Sequence, residues 1–300
     1  MKILVTGSHG LVGSALLPAL MADGHRVLRL LRSATPGTDE ILWNPDANQI
    51  DAAALEGLDV VVHLAGENIA GQWTVAKKAR IRESRVAGTR LLCETLSKLD
   101  RPPHALIVAS AIGFYGNRGD EKLTEESAMG SGFLPEVVRD WEAAAQPARE
   151  HGIRVVQLRF GIILSAHGGA LTKMLPPFRF GLGGRVGNGQ QWWSWISIED
   201  VVGTICFSLS NETLDGPVNT VSPNPVTNAE FTRILGGVLC RPVIFPMPAV
   251  VARLVLGQMA EELLLASACV EPAQLRRAGF QFKKPNLEVG LRSLLAPSVP

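Results

Sequence analysis

The run Met1-Lys-Ile-Leu-Val-Thr-Gly-Ser-His-Gly-Leu-Val-Gly13 limits this chain more than any other stretch, because an apolar strand passes straight into Gly7-x-x-Gly10-x-x-Gly13 and then a helix. A glycine-rich turn between strand and helix is a place to put phosphate. Gly7 suits the tight turn, Gly10 lets the main chain approach a pyrophosphate, and Gly13 removes the side chain that would hold helix and strand apart. The free N–H groups and positive dipole end of the helix then face the anion. The flanks support this reading: Ile3-Leu4-Val5 is a buried-strand run, and Leu11, Val12, Leu16, Leu17 and Leu20 recur at helical spacing. Thr6, Gly7, Ser8, His9, Gly10, Leu11 and Val12 are the expected contacts to a dinucleotide.

Strands and helices alternate after it. Strands are expected at Arg26 to Leu31, Glu40 to Trp43, Asp59 to Leu64, Ala105 to Ser110 and Arg154 to Leu158, with helices over Thr74 to Lys98 and Phe133 to His151. Continuous apolar runs such as Val60-Val61-Val62 imply a parallel sheet covered on both faces, a doubly wound α/β fold. Ligands of such sheets sit at the carboxyl ends of the strands. The end of the second strand therefore selects the nucleotide: a carboxylate would bind a ribose 2′-hydroxyl and a cation a 2′-phosphate. Arg32-Ser33 stands there and no acid follows until Asp39, so NADP(H) is expected over NAD(H), with a solvated surface arginine as the plain alternative.

After the fourth strand, His63-Leu64-Ala65-Gly66 places small residues where a backbone must lie close to a ribose, so Leu64, Ala65 and Gly66 join the expected cofactor contacts, and Glu67 reads as a cofactor or substrate contact or equally as a solvated loop acid. His63, at the end of an apolar strand, reads as a satisfied core histidine before it reads as a base. Arg159, beyond the sixth strand, is placed on the cofactor side as well.

Thr6-Gly7-x-x-Gly10-x-x-Gly13, His63-Leu64-Ala65-Gly66, Ser110-Ala111-x-x-x-Tyr115-Gly116 and Ile196-Ser197-Ile198-Glu199-Asp200-Val201 together resemble the extended short-chain dehydrogenase/reductase superfamily, which includes nucleotide-sugar epimerases and dehydratases. Leu64-Ala65-Gly66-Glu67-Asn68-Ile69, Asp140-Trp141-Glu142-Ala143-Ala144, the run from Met174 to Gly184 and Trp195-Ile196-x-Ile198 are similar to an atypical subgroup, the "epimerase family" proteins with a small extra C-terminal domain. The resemblance implies a Rossmann domain, a nicotinamide cofactor and a small polar, sugar-like substrate. It also exposes a departure. The superfamily's Tyr-x-x-x-Lys pair aligns with Leu134 and Val138, which cannot move a proton, and four residues after the only tyrosine, Tyr115, stands Gly119. Ser110 and Tyr115, just past the fifth strand, are the remaining candidates for orienting a carbonyl and donating a proton. Without a lysine beside it Tyr115 is expected to stay near a free phenol's pKa of about 10, an acid before a base. A pocket-lining ring bonded to backbone is the other reading for Tyr115, and a redox-inactive NADP(H)-binding sensor the other reading for the chain.

From Ser165 to Trp193 the chain is rich in glycine and apolar residues, as a lid over substrate would be; Arg179, Gln191 and Trp193 are its expected substrate contacts, with core tryptophans and solvated arginines as the alternative. Ser197-x-x-Asp200 and Thr227-x-x-Glu230 look like capping boxes, the first opening a helix that returns to the nucleotide domain. The expected division is a dinucleotide domain over 1–160, rejoined near 200–220, and a substrate part with a small helical C-terminal domain over 161–300, ending in a frayed 296–300.

Composition closes off other classes. A net charge of +1 with 46% hydrophobic and 19% charged residues gives no bias toward nucleic acid or anionic membrane. Cys93, Cys206, Cys240 and Cys269 have neither zinc-site spacing nor disulfide-scaffold density, and no metal-ligand cluster is visible. Met1 leads directly into a core strand, and Arg253, Glu261 and Glu262 interrupt the apolar stretch Pro248 to Val270. A reduced, cytoplasmic protein acting on a small molecule, without nucleic acid, membrane or metal, is expected, as monomer or homodimer.

Overall fold

The computed structural model describes residues 1–33, 35 and 38–296; most of the tail expected to fray, 297–300, lies outside the described residues. In chain order the elements are β1 (Lys2–Thr6), α1 (Leu11–Ala22), β2 (Arg26–Leu31), β3 (Glu40–Asn44), β4 (Gln49–Ile50), β5 (Val60–His63), α2 (Val75–Leu96), β6 (Ala105–Ala111), β7 (Lys122–Leu123), α3 (Phe133–Ala143), α4 (Gln146–Glu150) and β8 (Arg154–Phe160). Then follow β9 (Ile162–Leu164), α5 (Gly169–Arg179), β10 (Trp192–Trp193), β11 (Trp195–Ser197), α6 (Ile198–Ser210), β12 (Gly216–Thr220), β13 (Val226–Thr227) and α7 (Asn228–Leu239). The chain ends with α8 (Ala249–Leu256), a π-helical turn over Ala260–Leu265, β14 (Cys269–Val270), α9 (Ala273–Arg277) and α10 (Leu287–Leu295).

The main sheet has eight strands in the order β12-β8-β6-β5-β1-β2-β3-β4. All its neighbours run parallel except the β3–β4 pair at one edge. The apolar runs acquire their reason here. Successive side chains of a strand point to opposite faces, and both faces are covered. Ile3, Val5, Val60, Val62 and Ile107 enter one core with Leu16 and Leu20 of α1 and Val201 and Ile205 of α6. Leu4, Val61, Leu106 and Val108 enter the other with Leu92 and Leu96 of α2 and Trp141 of α3.

Two expectations change. The single helix over Phe133 to His151 is broken into α3 and α4, because Pro147 has no N–H to give the carbonyl one turn back. The edge strand β12 pairs with β8 through Gly216↔Val156 to Thr220↔Phe160, so the returning chain adds a strand as well as α6.

Two caps tie the ends together. Ser197 Oγ accepts the Asp200 N–H at 3.0 Å and donates to the Asp200 carboxylate at 2.9 Å. That carboxylate also accepts the N–H groups of Lys283 and Lys284 at 2.6 and 3.0 Å, pinning the C-terminal segment to α6. Thr227 and Glu230 form the full reciprocal box at α7. A third core, with Trp193, Trp195, Phe231, Leu235, Leu287 and Leu291, unites α5, α7 and α10 in the smaller C-terminal lobe.

Candidate functional site

The crevice opens where β1 meets α1. Gly7 has φ +65°, and a side chain on it would press into the Leu64 carbonyl carbon at 2.7 Å. One on Gly13 would overlap the Gly7 carbonyl oxygen and lie 2.7 Å from Ser8 Cα. Both neighbours are backbone and cannot swing aside, so these two glycines are required by packing. The N-terminus of α1 is capped by no side chain, with Gly10 extended at φ −76°, and carries no acid in its first turn. Ser8 is buried, and its hydroxyl oxygen has no hydrogen-bond partner. Unmatched helix N–H groups beside an orphaned buried hydroxyl suit a phosphate.

Thr6 shapes the wall from behind. Its hydroxyl oxygen accepts the N–H groups of Leu64 and Ala65, both at 3.1 Å, and bonds His63 Nδ1 at 2.7 Å. With those lone pairs occupied, the Thr6 proton goes to Nδ1, leaving His63 protonated at Nε2, which meets Thr89 Oγ1 at 3.0 Å. Trp141 Nε1 donates to the same Thr89 oxygen at 3.0 Å. His63 is fully buried, and desolvation drives its pKa down to about 4. It is a neutral strut between the glycine turn and the helices behind the sheet.

At the end of β2, Arg32 and Ser33 are exposed, and among the described residues Arg32 pairs with Asp46, at 3.9 Å. The nearby carboxylate of Glu40 is engaged elsewhere: it accepts the Thr35 N–H at 2.7 Å and pairs with Arg29 at 2.6 Å. The Thr35 bond first, and Arg29 with it, hold Glu40 below its ordinary pKa. His9 is exposed on the turn, and Leu11 and Val12 are half-buried behind it.

Leu64 and Ala65 line the β5 end, and the loop beyond is locked to α2. Ser84 Oγ accepts the Glu67 N–H at 3.0 Å, Arg85 donates to the Glu67 carbonyl at 3.0 Å, and Lys77 pairs with the Glu67 carboxylate at 2.7 Å, lowering that group's pKa. A side chain on Gly66 would meet the Arg85 guanidinium at 3.5 Å, an ordinary contact, so the chain's own packing does not demand glycine there. Arg85 lies over Trp141, and burial pulls its pKa down to about 10.

At the carboxyl end of β6, Ser110 donates to Glu142 Oε1 at 2.6 Å. Arg159 grips the same carboxylate with two bonds, of 2.8 and 2.7 Å, and stacks on Phe114 at 3.6 Å. Arg159 was expected to reach cofactor; it is 3% exposed and spent inside this network. Tyr115 was expected to donate a proton to substrate or to line a pocket with its hydroxyl bonded to backbone. The ring is wholly buried; its oxygen accepts from Arg159 at 3.0 Å, and its own proton faces Asn219 Oδ1 at 2.7 Å and the Thr124 carbonyl at 2.9 Å. Burial raises its pKa, against the pull of Arg159. The hydroxyl has no direction left for a substrate. Leu134 and Val138, where a catalytic tyrosine and lysine would be sought, are buried apolar residues packed toward Gly113.

The substrate residues separate. Gln191 is buried, its amide donating to the Val186 and Leu264 carbonyls at 3.0 Å each. Trp193 is buried against Phe231, with ring centroids 5.2 Å apart. Both hold the C-terminal lobe together, since a buried amide or indole N–H must find a carbonyl. Arg179 is exposed at the end of α5. One residue of that lobe reaches the crevice side unforeseen: Glu262 accepts the N–H groups of Phe133 and Leu134 at 3.2 and 2.7 Å, capping α3. Glu142, Lys77, Arg85 and Asn219 likewise belong to the site, and only Glu142 lay in a run already singled out. Among the described residues no cluster suits a metal ion.

Residues 3–220 match the family model described as "NAD dependent epimerase/dehydratase family", and residues 247–294 match a "Domain of unknown function (DUF1731)". An "epimerase family protein" of Mycobacterium tuberculosis (strain CDC 1551 / Oshkosh) is 44% identical over 281 residues, covering 93% of each chain. Epimerase family protein SDR39U1 of Homo sapiens is 35% identical over 300 residues, 99% of this chain and 100% of that one. A crystal structure of human SDR39U1 (isoform2) with NADPH superposes with a TM-score of 0.90 at 34% identity, covering 98% of this chain and 99% of that one.

Proposed function

The chain belongs to the NAD-dependent epimerase/dehydratase family, and from that premise we propose that it is an NADP(H)-dependent oxidoreductase or epimerase-like enzyme acting on a small polar substrate. The glycine turn, Ser8 and the α1 N-terminus would hold the diphosphate, Arg32 and Ser33 the 2′-phosphate, and Leu64 to Gly66 the nearby ribose. The NADPH in the human relative's crystal structure supports this choice of cofactor. When bound, the nicotinamide supplies or accepts hydride at a substrate carbon.

The observation that carries the reading is the 2.6 Å bond from Ser110 to Glu142 at the carboxyl end of β6. A substrate hydroxyl can pass its proton to Ser110 Oγ as Ser110 passes its own to Glu142, and the reverse order serves a carbonyl being reduced. Arg159 keeps the carboxylate oriented. The same groups leave Tyr115 a positioning residue.

A redox-inactive NADP(H)-binding protein is the second reading, favoured by apolar Leu134 and Val138 and by the enclosure of Tyr115. One assay separates them: oxidation of NADPH followed across a library of carbonyl compounds. The enzyme reading expects turnover that Ser110→Ala removes while NADPH affinity holds. Tight NADPH binding with no turnover on any compound replaces it by the second reading, and no NADPH binding defeats both. A reducing compartment such as the cytoplasm fits the four unpaired thiols, and among the described residues no helix is long and apolar enough to cross a membrane.

A further inference from the structure

A cavity of about 280 Å³ lies in the C-terminal lobe, away from the nucleotide crevice, between α7 and the segment 243–246. Ala229, Thr232 and Arg233 line one side, three and four residues apart and so on one face of α7. Arg185, Val243, Ile244 and Pro246 line the other. The second wall is held together by the Met247 N–H donating to the Arg185 carbonyl at 2.8 Å and by the Val186↔Met247 bridge, and it is tied to α7 by the Val186 N–H donating to Asn228 Oδ1 at 2.7 Å.

Three features of this cavity call for a ligand. Arg185 and Arg233 open into one space, and neither has an acidic partner among the described residues. Both arginines are exposed, and a guanidinium fork on each side of the shared space offers donors to an anion. Thr232 is 3% exposed and lines the same space, placing a hydroxyl-bearing side chain in its wall. The remaining walls, Val243, Ile244, Pro246 and Ala229, are apolar, and beyond them Ile244 and Phe245 stay 70% and 54% exposed.

We propose that this cavity is a binding site for a phosphoryl group carried on an apolar body. Planar guanidinium forks match phosphate oxygens bidentately, and a hydroxyl adds a third donor to the same dianion. The apolar walls then cover the group that the phosphate carries. The volume suits a small organic phosphate and not a whole dinucleotide. This site does not depend on the reading of the nucleotide crevice.

The test is calorimetric titration of the full chain, saturated with NADPH if it binds, at constant ionic strength with inorganic phosphate and with phenyl phosphate. Saturable binding of both is expected, with phenyl phosphate tighter by about ten-fold for the ring it buries. Arg185→Gln and Arg233→Gln should each weaken phenyl phosphate by about ten-fold or more, and Thr232→Val by a smaller factor. NADPH affinity and the melting temperature without phosphate should stay as in the wild type. Absence of saturable binding, equal binding by wild type and both arginine variants, or phenyl phosphate no tighter than phosphate overturns the proposal. Loss of NADPH binding alone bears on the nucleotide crevice and leaves this site standing.

Discussion

Acid should unfold this protein through His63. The imidazole is completely buried, its Nδ1 takes the Thr6 proton, and desolvation holds its pKa at about 4, against 6.5 when solvated. Between those values the unfolded chain binds a proton that the folded chain refuses, so stability rises with pH across that window and falls as pH drops through it. At about 1.36 kcal/mol per pH unit, this group alone removes about 3 kcal/mol between pH 6.5 and pH 4. That is a large share of the roughly 5–15 kcal/mol that holds a domain together. The measurement is urea unfolding at half-unit steps from pH 7.5 to 4 on wild type and His63→Gln, whose amide can still bridge Thr6 and Thr89 without titrating. The variant's stability should lack one proton's worth of slope below pH 6.5, so the two curves converge on acidification. Parallel curves across that range, or an imidazole titrating near 6.5 in the folded protein by NMR, would refute the argument. Because His63 braces Thr6 and stays neutral in the folded chain down to about pH 4, the NADPH crevice should keep its shape across this window while global stability falls.

Gly13→Ala puts a methyl onto the Gly7 carbonyl, so α1 must shift and NADPH affinity should fall by about a hundred-fold or more, read by fluorescence titration. Arg32→Asp should weaken NADPH much more than NADH; equal losses would remove Arg32 from 2′-phosphate binding. Arg159→Met leaves the part-buried Glu142 without its cation and should cost up to about 3–5 kcal/mol in denaturant unfolding, more than Arg26→Met at an exposed pair. Glu262→Ala uncaps α3 and should cost about 1 kcal/mol, with faster amide exchange at Phe133 and Leu134 than elsewhere in the helix.

The alternation of apolar runs and periodic helices was enough to place the parallel sheet, because backbone hydrogen bonding and two-faced burial act locally and leave their period in the residues. The glycine turn was equally legible: Gly7 and Gly13 answer to contacts within a few residues or with the adjacent strand. The break between α3 and α4 is also local in origin, set at Pro147.

The fate of the polar side chains was decided only in three dimensions. Ser110, Tyr115, Glu142, Arg159 and Asn219 come from β6, the turn after it, α3, β8 and β12, over a hundred residues of chain, and nothing in their spacing announces that they meet. A buried hydroxyl, guanidinium or indole takes whichever partner the tertiary packing brings within reach, so Tyr115 found Asn219 and Trp193 entered the lobe's core where solvent-facing roles were open to both. The same holds for Glu262, which reaches Leu134 across 128 residues to cap a helix whose own N-cap, Gly132, has no side chain to do it. Sequence determined which backbone could cradle a diphosphate; the fold determined which side chains remained free to act beside it.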